Sequence, residues 1–383
     1  MKILALDQFS EIGGAQACLL TGLEAMRARE WQVAVGLPGN GPLFCRAREL
    51  GCATLRISCG PLRPGKKSLA DAAHFMLETP RVAREIRGHA HRFGPDLIYV
   101  NGPRLLPPVA LAALRLPVLF HAHSYLAPGM ARTLATEAVR RLGASVVACC
   151  RFVADAWNSV TPRGRVSVIY NGVAGPLELG AACKPPQPKI GCIGRISPEK
   201  GQLDFVAAAA AIHRARPEAR FAVCGAPMFS REAERYRDEV RAAAGSLPIE
   251  FPGWIPDVYQ ALSQLDLLLV PSAAGEATTR VIAEAFAAGV PVIAFGSGGI
   301  PEIMEHGRTG FLVNTVDEMA ATAIALLWGD ADRRCSIVRA AREEWRARFT
   351  IERYQSKLME SVEVAARNRS DNLNRGILNV LSL

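Results

Sequence analysis

Several features that would assign a chain to a familiar class are missing from this sequence. Its ten cysteines contain no Cys-x-x-Cys pair. A disulfide framework is not expected in a chain this long and Ala-rich, so a reducing compartment fits better. No uninterrupted apolar run reaches the roughly 20 residues that a membrane-spanning helix requires. No Gly-x-Gly-x-x-Gly pattern follows the first predicted strand, which argues against a Rossmann dehydrogenase. We therefore expect a cytoplasmic protein and leave open a peripheral contact at the inner membrane face.

The composition is that of an ordinary globular protein with an excess of basic residues. The chain has 383 residues, of which 50% are hydrophobic and 21% are charged, and this length suits two domains better than one core. The formal net charge is +9, which favours anionic partners such as nucleotides, phosphates or an anionic membrane face. Nucleic-acid binding has only this net charge in its favour, so we do not expect it.

Apolar strand patterns and helical patterns alternate along both halves of the chain. This alternation predicts an α/β protein with parallel sheets that are covered by helices on both faces. The proline-rich segment 174–188 interrupts the pattern and is predicted to be a linker. We therefore expect a first doubly wound domain over 1–174 and a second over 189–350. Residues 351–383 are expected to form a C-terminal helix, which crosses back to the first domain, and a tail.

Basic residues are concentrated in the first half. Residues 60–93 contain seven Lys and Arg against Asp71, Glu78 and Glu85. The simpler interpretation is a solvated helix face that follows a basic loop. The alternative is a surface for anionic lipid or a charged acceptor.

The most informative stretch is 270–299, VPSAAGEATTRVIAEAFAAGVPVIAFGSGG. It predicts a turn that leads from a buried strand into a helix over about Thr279–Ala288, followed by a second strand and a Gly-rich turn. Glu276 precedes the helix and Glu284 lies within it. The free N–H groups at a helix N-terminus can hold an anion, and two carboxylates can accept hydrogen bonds from hydroxyls. Together these groups suit a nucleotide-sugar.

A second motif, GRISPEKG, places two cations around a turn between a strand and a helix. Gly194 ends the strand, and Arg195 and Lys200 lie on either side of the turn. Two fixed cations can neutralise a diphosphate and stabilise the charge that grows on it when the bond to it breaks.

These motifs, in this order and spacing, resemble those of the retaining glycosyltransferases of family 4, which have the GT-B fold. The matching features are GRISPEKG, the Glu-x7-Glu pair of Glu276 and Glu284, and GVPVIAFGSGGIPEIMEHGRTGFLV. IGGAQ near the start, HAHSY and IYNGV match more loosely. The resemblance implies two Rossmann-like domains that face each other across a cleft. The first would bind the acceptor and the second the nucleotide-sugar donor.

The resemblance also implies roles for individual residues. Arg195 and Lys200 would stabilise the leaving diphosphate, Glu276 would bind sugar hydroxyls, and His123 would close on the donor sugar; these four are the predicted catalytic residues. His121, two residues earlier, would be a packed strand residue. Glu284 would bind the ribose hydroxyls. The remaining predicted donor-binding residues are Gly14, Gly194, Trp254, Ile255, Thr278, Thr279, Arg280 and Val281.

The implied activity is sugar transfer with retention at the anomeric carbon, by front-face attack and without a metal or another cofactor. A UDP-sugar is the first expectation for the donor and a GDP-sugar the second. The acceptor is unidentified and could be a saccharide, a lipid-linked sugar or a small molecule. Two departures from the family pattern leave the sugar open: Ala277-Thr278-Thr279-Arg280 replaces a frequent Gly-Phe-Gly, and Ser124 replaces a frequent Asp.

Two other kinds of function are alternatives, although the Glu-x7-Glu pair together with GRISPEKG favours the transferase. A nucleotide-sugar epimerase or a phosphorylase could share the fold. A non-catalytic scaffold subunit that binds a nucleotide-sugar is a further alternative, although intact Arg195, Lys200, Glu276 and Glu284 speak against it.

Overall fold

A computed structural model describes residues 1–60, 69–176, 187–228, 231–272, 275–329 and 331–380. These residues form two compact units. Unit 1 comprises Met1–Tyr170 and Glu352–Leu383, and unit 2 comprises Asn171–Ile351. Most of the expected linker at 174–188, and the basic loop within 60–67, lie outside the described residues.

Unit 1 is built on a seven-stranded sheet in the order β3-β2-β1-β4-β5-β6-β7. All of its strand pairs are parallel. The strands are β1 (Lys2–Leu6), β2 (Gln32–Leu37), β3 (Ala53–Arg56), β4 (Leu97–Val100), β5 (Val118–Ala122), β6 (Ser145–Ala148) and β7 (Val166–Val168). The helices of this unit are α1 (Gly14–Ala28), α2 (Pro42–Glu49), α3 (Leu69–Phe93), α4 (Leu106–Leu111), α5 (Met130–Leu142), α6 (Arg151–Asn158) and, at the end of the chain, α13 (Ile351–Val380).

Unit 2 contains a six-stranded parallel sheet in the order β10-β9-β8-β11-β12-β13. Its strands are β8 (Lys189–Ile193), β9 (Arg220–Cys224), β10 (Ile249–Gly253), β11 (Leu267–Val270), β12 (Val292–Phe295) and β13 (Phe311–Val313). Its helices are α7 (Gln202–Ala215), α8 (Arg231–Ala244), α9 (Val258–Leu262), α10 (Arg280–Ala288), α11 (Val316–Trp328) and α12 (Ala331–Arg348). Among the described residues, no helix is both long and apolar enough to span a bilayer.

Helix α10 is short and almost entirely apolar, and its ends explain its length. It begins after Thr279, which has extended backbone geometry, and ends at Gly289 in the left-handed region, where glycine avoids the steric cost of a Cβ. The buried Arg342 of α12 donates a hydrogen bond to the carbonyl of Ala287 in the last turn. A cation at this end is favoured because helix C-termini carry partial negative charge.

The last helix contributes to the core of unit 1. Tyr354 and Leu358 of α13 are buried in the same cluster as Leu19 and Leu23 of α1, and the Tyr354 hydroxyl donates to the Cys18 carbonyl at 3.1 Å. A Cβ added at Gly22 would lie 2.9 Å from Leu358 Cδ2. This close approach shows how tightly the two helices pack.

The prediction of two Rossmann-like, doubly wound parallel sheets is confirmed. Helix α2 and strand β3 were not predicted. Their sequences explain why: α2 is only eight residues long and the β3 residues are only half-buried or exposed, so neither carries a strong periodic pattern. β3 is an edge strand that forms because it pairs with β2.

Replacing Leu358 by Ala is expected to destabilise unit 1 by about 2–5 kcal/mol, because it removes buried methyl groups and leaves a cavity between α13 and α1. Denaturant unfolding measures this loss. Val364→Ala is the matched control, since Val364 lies on the same helix with half of its surface exposed and should change stability little. Equal losses in the two variants would contradict the packing of α13 in this core.

Candidate active site

The carboxyl edge of the sheet in unit 2 brings its glycine-containing turns together through close backbone contacts. Gly201, at the end of the turn that carries Lys200, has a φ of 69°, and a Cβ there would lie 1.9 Å from the carbonyl oxygen of Pro271 after β11. Only glycine fits this geometry. The turn after β8 is thereby held against the end of β11.

Lys200, Glu276 and Thr279 form the centre of this edge. Lys200 Nζ is 2.8 Å from Glu276 Oε2 and donates to Thr279 Oγ1 at 3.3 Å. The side chains of Lys200 and Glu276 are only 19% and 15% exposed. Because Thr279 is the residue before α10, the Lys200 cation lies at the N-terminus of that helix. A cation and a helix N-terminus in one place form an anion-binding site.

The Gly-rich turn after β12 holds the segment that carries Glu276. Gly299 N donates to the carbonyls of Glu276 at 3.1 Å and Ala277 at 2.9 Å. Gly298 has a φ of 54°, and a Cβ there would lie 1.8 Å from the Glu276 carbonyl oxygen. GRISPEKG, through Lys200, and the Gly-rich turn after β12 are far apart in the sequence, and both help to position the Glu276 carboxylate.

Helix α10 contributes further predicted residues. Val281 in its first turn is buried. The Thr278 hydroxyl is buried and has no hydrogen-bond partner within the described part of the chain. A buried hydroxyl without a partner is unfavourable, so Thr278 offers a ligand a hydrogen bond next to the Lys200 cluster.

Glu284 has the partner that its apolar surroundings require. Arg280, one turn earlier on α10, lies 3.3 Å from Glu284 Oε1 and also donates to the Gly172 carbonyl at 3.3 Å. Burial raises the pKa of Glu284 above its usual value, and the charge and hydrogen bond of Arg280 oppose that rise. Arg280 was predicted as a donor-binding residue, and this structure shows it paired with Glu284.

Arg195 is held by Glu199, which was not predicted as a site residue. Its guanidinium pairs with Glu199 in the same turn, while its carbonyl accepts from Gln202 Nε2 at 2.9 Å. Glu199 lies inside the GRISPEKG motif, four residues after Arg195. This spacing in the sequence could have predicted that the two side chains pair. Gly194, which precedes Arg195, follows β8 directly.

Trp254 and Ile255 follow β10, two places from β8 in the order of the sheet. Trp254 is half-exposed, and Ile255 packs beside Ala222, Cys224 and Ala261. Because all six strands are parallel, both residues lie at the same edge as Lys200.

Unit 1 has a polar cluster at the corresponding edge of its own sheet. His123, just after β5, has its Nε2 atom 2.8 Å from Asn101 Oδ1, and its ring centroid lies 3.9 Å from that of His121. His121 is fully buried, as predicted for a packed strand residue, and burial holds its pKa well below the usual value, with a further contribution from His123. Gly14 begins α1.

Asp7 lies at the base of this cluster and was not predicted. Its fully buried carboxylate accepts from Asn101 Nδ2 at 2.6 Å, Gln16 Nε2 at 3.1 Å and Phe9 N at 2.8 Å. Burial raises the pKa of Asp7 from 3.8 to about 6, against the opposing effect of these hydrogen bonds. The available signal was its position: Asp7 and Asn101 each follow a buried strand, where parallel sheets gather functional side chains.

Replacing Asp7 by Asn should change how the stability of unit 1 depends on pH. Because the pKa of Asp7 is higher in the folded than in the unfolded protein, its contribution to stability is complete below about pH 4 and is lost as pH rises through about 6. The loss amounts to about 3 kcal/mol at 1.36 kcal/mol per pKa unit. Asp7→Asn cannot titrate, so its stability relative to the wild type should rise by about that amount between pH 4 and 7.

Hydrogen exchange of the β1 and β4 amides, followed by mass spectrometry, measures this difference for unit 1 alone. Asp155→Asn serves as the control because Asp155 is an exposed carboxylate of the same unit. A difference between wild type and Asp7→Asn that stays constant from pH 4 to 7 would show that the pKa of Asp7 is not raised.

The described residues contain no group of three or more His, Cys, Asp and Glu side chains that could hold a metal ion. The arrangement in unit 2 instead offers a cation, a helix N-terminus, two half-buried carboxylates and an unpartnered hydroxyl. These groups can bind a molecule that carries both phosphate and hydroxyl groups.

Solved structures with the same architecture include HepE of Anabaena. A crystal structure of HepE with UDP and glucose is 27% identical to this chain, with a TM-score of 0.79, and covers 95% of this chain and 99% of that one. The structure of HepE with UDP-glucose gives a TM-score of 0.80.

Among curated proteins, sulfoquinovosyl transferase SQD2 of Arabidopsis thaliana is 28% identical over 310 residues, which are 71% of this chain and 58% of that protein. A GDP-mannose-dependent alpha-(1-6)-phosphatidylinositol monomannoside mannosyltransferase of Mycobacterium tuberculosis is 32% identical over 188 residues, 45% of this chain and 47% of that protein. The chain therefore spans about half the length of the curated relatives that it matches.

Two family models match the two halves of the chain. The model described as Glycosyltransferase Family 4 matches residues 12–174, and the model described as Glycosyl transferases group 1 matches residues 187–329. The matched ranges contain most of each parallel sheet, His123 with Asn101, and the cluster around Lys200. With these matches and the similarity to HepE over nearly its full length, the chain belongs to the family 4 glycosyltransferases and has the GT-B fold.

Proposed function

We propose that this chain is a retaining glycosyltransferase that moves a sugar from a nucleotide-diphosphate-sugar to an acceptor without a metal ion. The observation that carries the proposal is the contact of Lys200 with Glu276 and Thr279 at the N-terminus of α10. It supplies a cation, a helix N-terminus and a carboxylate within one site, which are the groups that a diphosphate linked to a sugar requires.

Lys200 and Arg195 act on the diphosphate. As the glycosidic bond breaks, negative charge grows on the phosphate oxygen that leaves the anomeric carbon. A Lys200 cation that is already fixed by Glu276 and Thr279 stabilises this charge without reorganisation. Arg195, on the same turn and held by Glu199, supplies a second positive charge. Backbone N–H groups of α10 and the Thr278 hydroxyl add hydrogen bonds to the phosphates.

The carboxylates bind hydroxyl groups. Glu276 lies beside Lys200, so its second oxygen can accept from hydroxyls of the sugar that is attached to the diphosphate. Glu284 lies one turn into α10 and is proposed to accept hydrogen bonds from the ribose hydroxyls. Arg280 favours the ionised form of Glu284, as a hydrogen-bond acceptor requires. Gly194, Trp254, Ile255, Val281 and, in unit 1, Gly14 complete the proposed donor contacts.

The reaction is proposed to proceed by front-face attack. The acceptor oxygen forms a bond to the anomeric carbon on the face from which the diphosphate leaves, so the configuration is retained. The bond between the anomeric carbon and the phosphate oxygen breaks, and that oxygen takes the proton of the acceptor hydroxyl. His123 is proposed to hydrogen-bond a hydroxyl of the donor sugar and so fix its position.

UDP is the first candidate for the nucleotide, because HepE has been solved with UDP, with UDP and glucose, and with UDP-glucose. GDP is the second, since the mycobacterial relative is described as GDP-mannose-dependent. That relative's description also names a phosphatidylinositol monomannoside, and a glycolipid or saccharide acceptor is proposed here by analogy. A cytoplasmic location with peripheral contact at the inner membrane face stays a prediction.

A thermal-shift titration with UDP, GDP, ADP and dTDP, without metal, tests the nucleotide site. One nucleotide should raise the melting temperature, because a ligand at 100 times its Kd stabilises the native state by about 2.7 kcal/mol. Glu284→Ala should lose most of this shift, since it removes the proposed ribose contact. Glu343→Ala, an exposed glutamate on α12, is the matched control and should keep the full shift. If no nucleotide stabilises the wild type at millimolar concentration, the proposed donor site is wrong.

Lys200→Gln should lower kcat by about 10²–10³-fold, the usual effect of removing one group that stabilises transition-state charge, with a smaller change in the KM of the donor. Arg214→Gln, on an exposed position of α7, is the control. Turnover is measured with the sugar of the nucleotide found above, in the presence and absence of EDTA. Inhibition by EDTA, or an unchanged kcat in Lys200→Gln, would contradict the mechanism.

The stereochemistry is read from the ¹H NMR coupling of the anomeric proton in the first-formed product. The proposal requires the same anomeric configuration in product and donor. An inverted product would rule out front-face attack even if the nucleotide site were correct.

A further inference from the structure

The cluster at the carboxyl edge of unit 1 connects three strands through side-chain hydrogen bonds. Asp7 follows β1, Asn101 follows β4 and His123 follows β5, and these strands are neighbours in the sheet. Leu6 pairs with Val100 across β1 and β4, and Val100 pairs with Phe120 across β4 and β5. The register therefore places Asp7, Asn101 and His121 side by side, and His123 lies two residues beyond His121 with its ring 3.9 Å from that ring.

The orientation of the Asn101 amide follows from what it contacts. Its Nδ2 atom donates to Asp7 Oδ2 at 2.6 Å and to the Ala15 carbonyl at 3.3 Å. A backbone carbonyl accepts but cannot donate, and an ionised carboxylate has the same restriction. The NH₂ end of Asn101 must therefore face Asp7, and its Oδ1 atom must face His123.

This orientation has a consequence for the histidine. Asn101 Oδ1 is an acceptor and lies 2.8 Å from His123 Nε2, so Nε2 must carry the proton. In a neutral imidazole Nδ1 is then the acceptor. The neighbouring His121 ring, 3.9 Å away, adds no positive charge, because burial holds the pKa of His121 well below its usual value.

Asp7 is itself held rigidly. Gln16 Nε2 lies 3.1 Å from each carboxylate oxygen, and Phe9 N donates to Oδ1 at 2.8 Å. Gln16 Oε1 in turn accepts from Gly13 N at 3.2 Å. A continuous series of hydrogen bonds therefore connects His123 to the glycine turn that leads into Gly14 at the start of α1.

We propose that Asp7 is a positioning residue that acts through Asn101 to fix the tautomer and ring orientation of His123. The proposal rests on the proposed function for the role of His123 in the reaction, but the tautomer itself is a property of the free protein. A fully buried carboxylate is unfavourable unless its hydrogen bonds are satisfied. The donors around Asp7 satisfy its carboxylate. The hydrogen bond from Asn101 also fixes the orientation of the Asn101 amide, and that amide in turn contacts His123.

The tautomer is measured by two-bond ¹H–¹⁵N correlation spectra of protein with ¹⁵N-labelled histidine at pH 7.5, without substrate. The chain has seven histidines, and the signals of His123 are assigned by their loss in His123→Gln. We expect the wild type to show a single Nε2–H tautomer for His123. Finding the Nδ1–H tautomer in the wild type would overturn the proposal without the need for any variant.

Asp7→Asn tests the dependence on the carboxylate. In the variant, Phe9 N still donates to the side-chain oxygen at position 7, so the NH₂ group at that position faces Asn101. Only the longer hydrogen bond to the Ala15 carbonyl at 3.3 Å then holds the Asn101 amide in its original orientation, and His123 should show a mixture of tautomers. Tyr99→Phe is the matched control. It removes a buried hydroxyl that hydrogen-bonds His121 in the same layer, and it should leave the His123 tautomer unchanged. A single Nε2–H tautomer in folded Asp7→Asn would contradict the proposal.

Asn101→Asp provides a second variant in case Asp7→Asn fails to fold. A carboxylate next to Nε2 favours the imidazolium form, so the pKa of His123 should rise, and the same spectra recorded against pH measure it. An unchanged pKa would show that position 101 does not act on His123.

Turnover measurements distinguish a failure of the proposed function from a failure of the positioning role of Asp7. With the sugar donor, Asp7→Asn should lower kcat by about 10²-fold, the scale at which one positioned group matters, with a smaller change in KM. Tyr99→Phe should keep most of the activity. If the tautomer responds as expected but the wild type transfers no sugar, the proposed function fails and the positioning role stands. If activity is present but the tautomer does not depend on Asp7, only the positioning role fails.

Discussion

Every strand pair in the two sheets is parallel, and this constraint places the residues that follow the strands along one edge of each sheet. Lys200 and Glu276 depend on it in unit 2, and Asp7, Asn101 and His123 depend on it in unit 1. The helices between the strands make such pairing possible because a parallel connection needs a crossover. The same edge in both units thus receives the polar groups while the strands stay apolar and buried.

Burying the polar groups at these edges is energetically unfavourable, and this suggests that they have a function other than stability. Lys200 with Glu276, and Arg280 with Glu284, are mostly withdrawn from water, and a buried ion pair often contributes little net stability compared with apolar residues of similar size. Asp7 is buried completely. Retaining such groups is easier to explain by what they bind or orient than by stability. Their partners limit the cost and hold each group in one place, as catalysis by preorganised charges requires.

Close backbone approach at glycines connects the motifs. A side chain at Gly201 or Gly298 would collide with a carbonyl oxygen of a neighbouring segment, so GRISPEKG and the GSGG turn can meet the segment that carries Glu276 only because both have glycine there. The positions of the glycines in these motifs are therefore set by backbone contacts in the fold. This explains why the resemblance to family 4 glycosyltransferases was strongest around these turns.

The sequence by itself determined the fold class, most of the strands and helices, and the motif residues around Lys200, because periodic apolar patterns and glycine turns are local signals. It also places Glu284 in the otherwise apolar run AEAFAAG, where a charged side chain needs a partner. Only the tertiary structure identified that partner as Arg280, paired Arg195 with Glu199, and joined Asp7 to His123 through Asn101. Asp7 and Asn101 are 94 residues apart, and no local pattern relates them. Their contact is decided by strand order and register, which place β1 beside β4 and β4 beside β5.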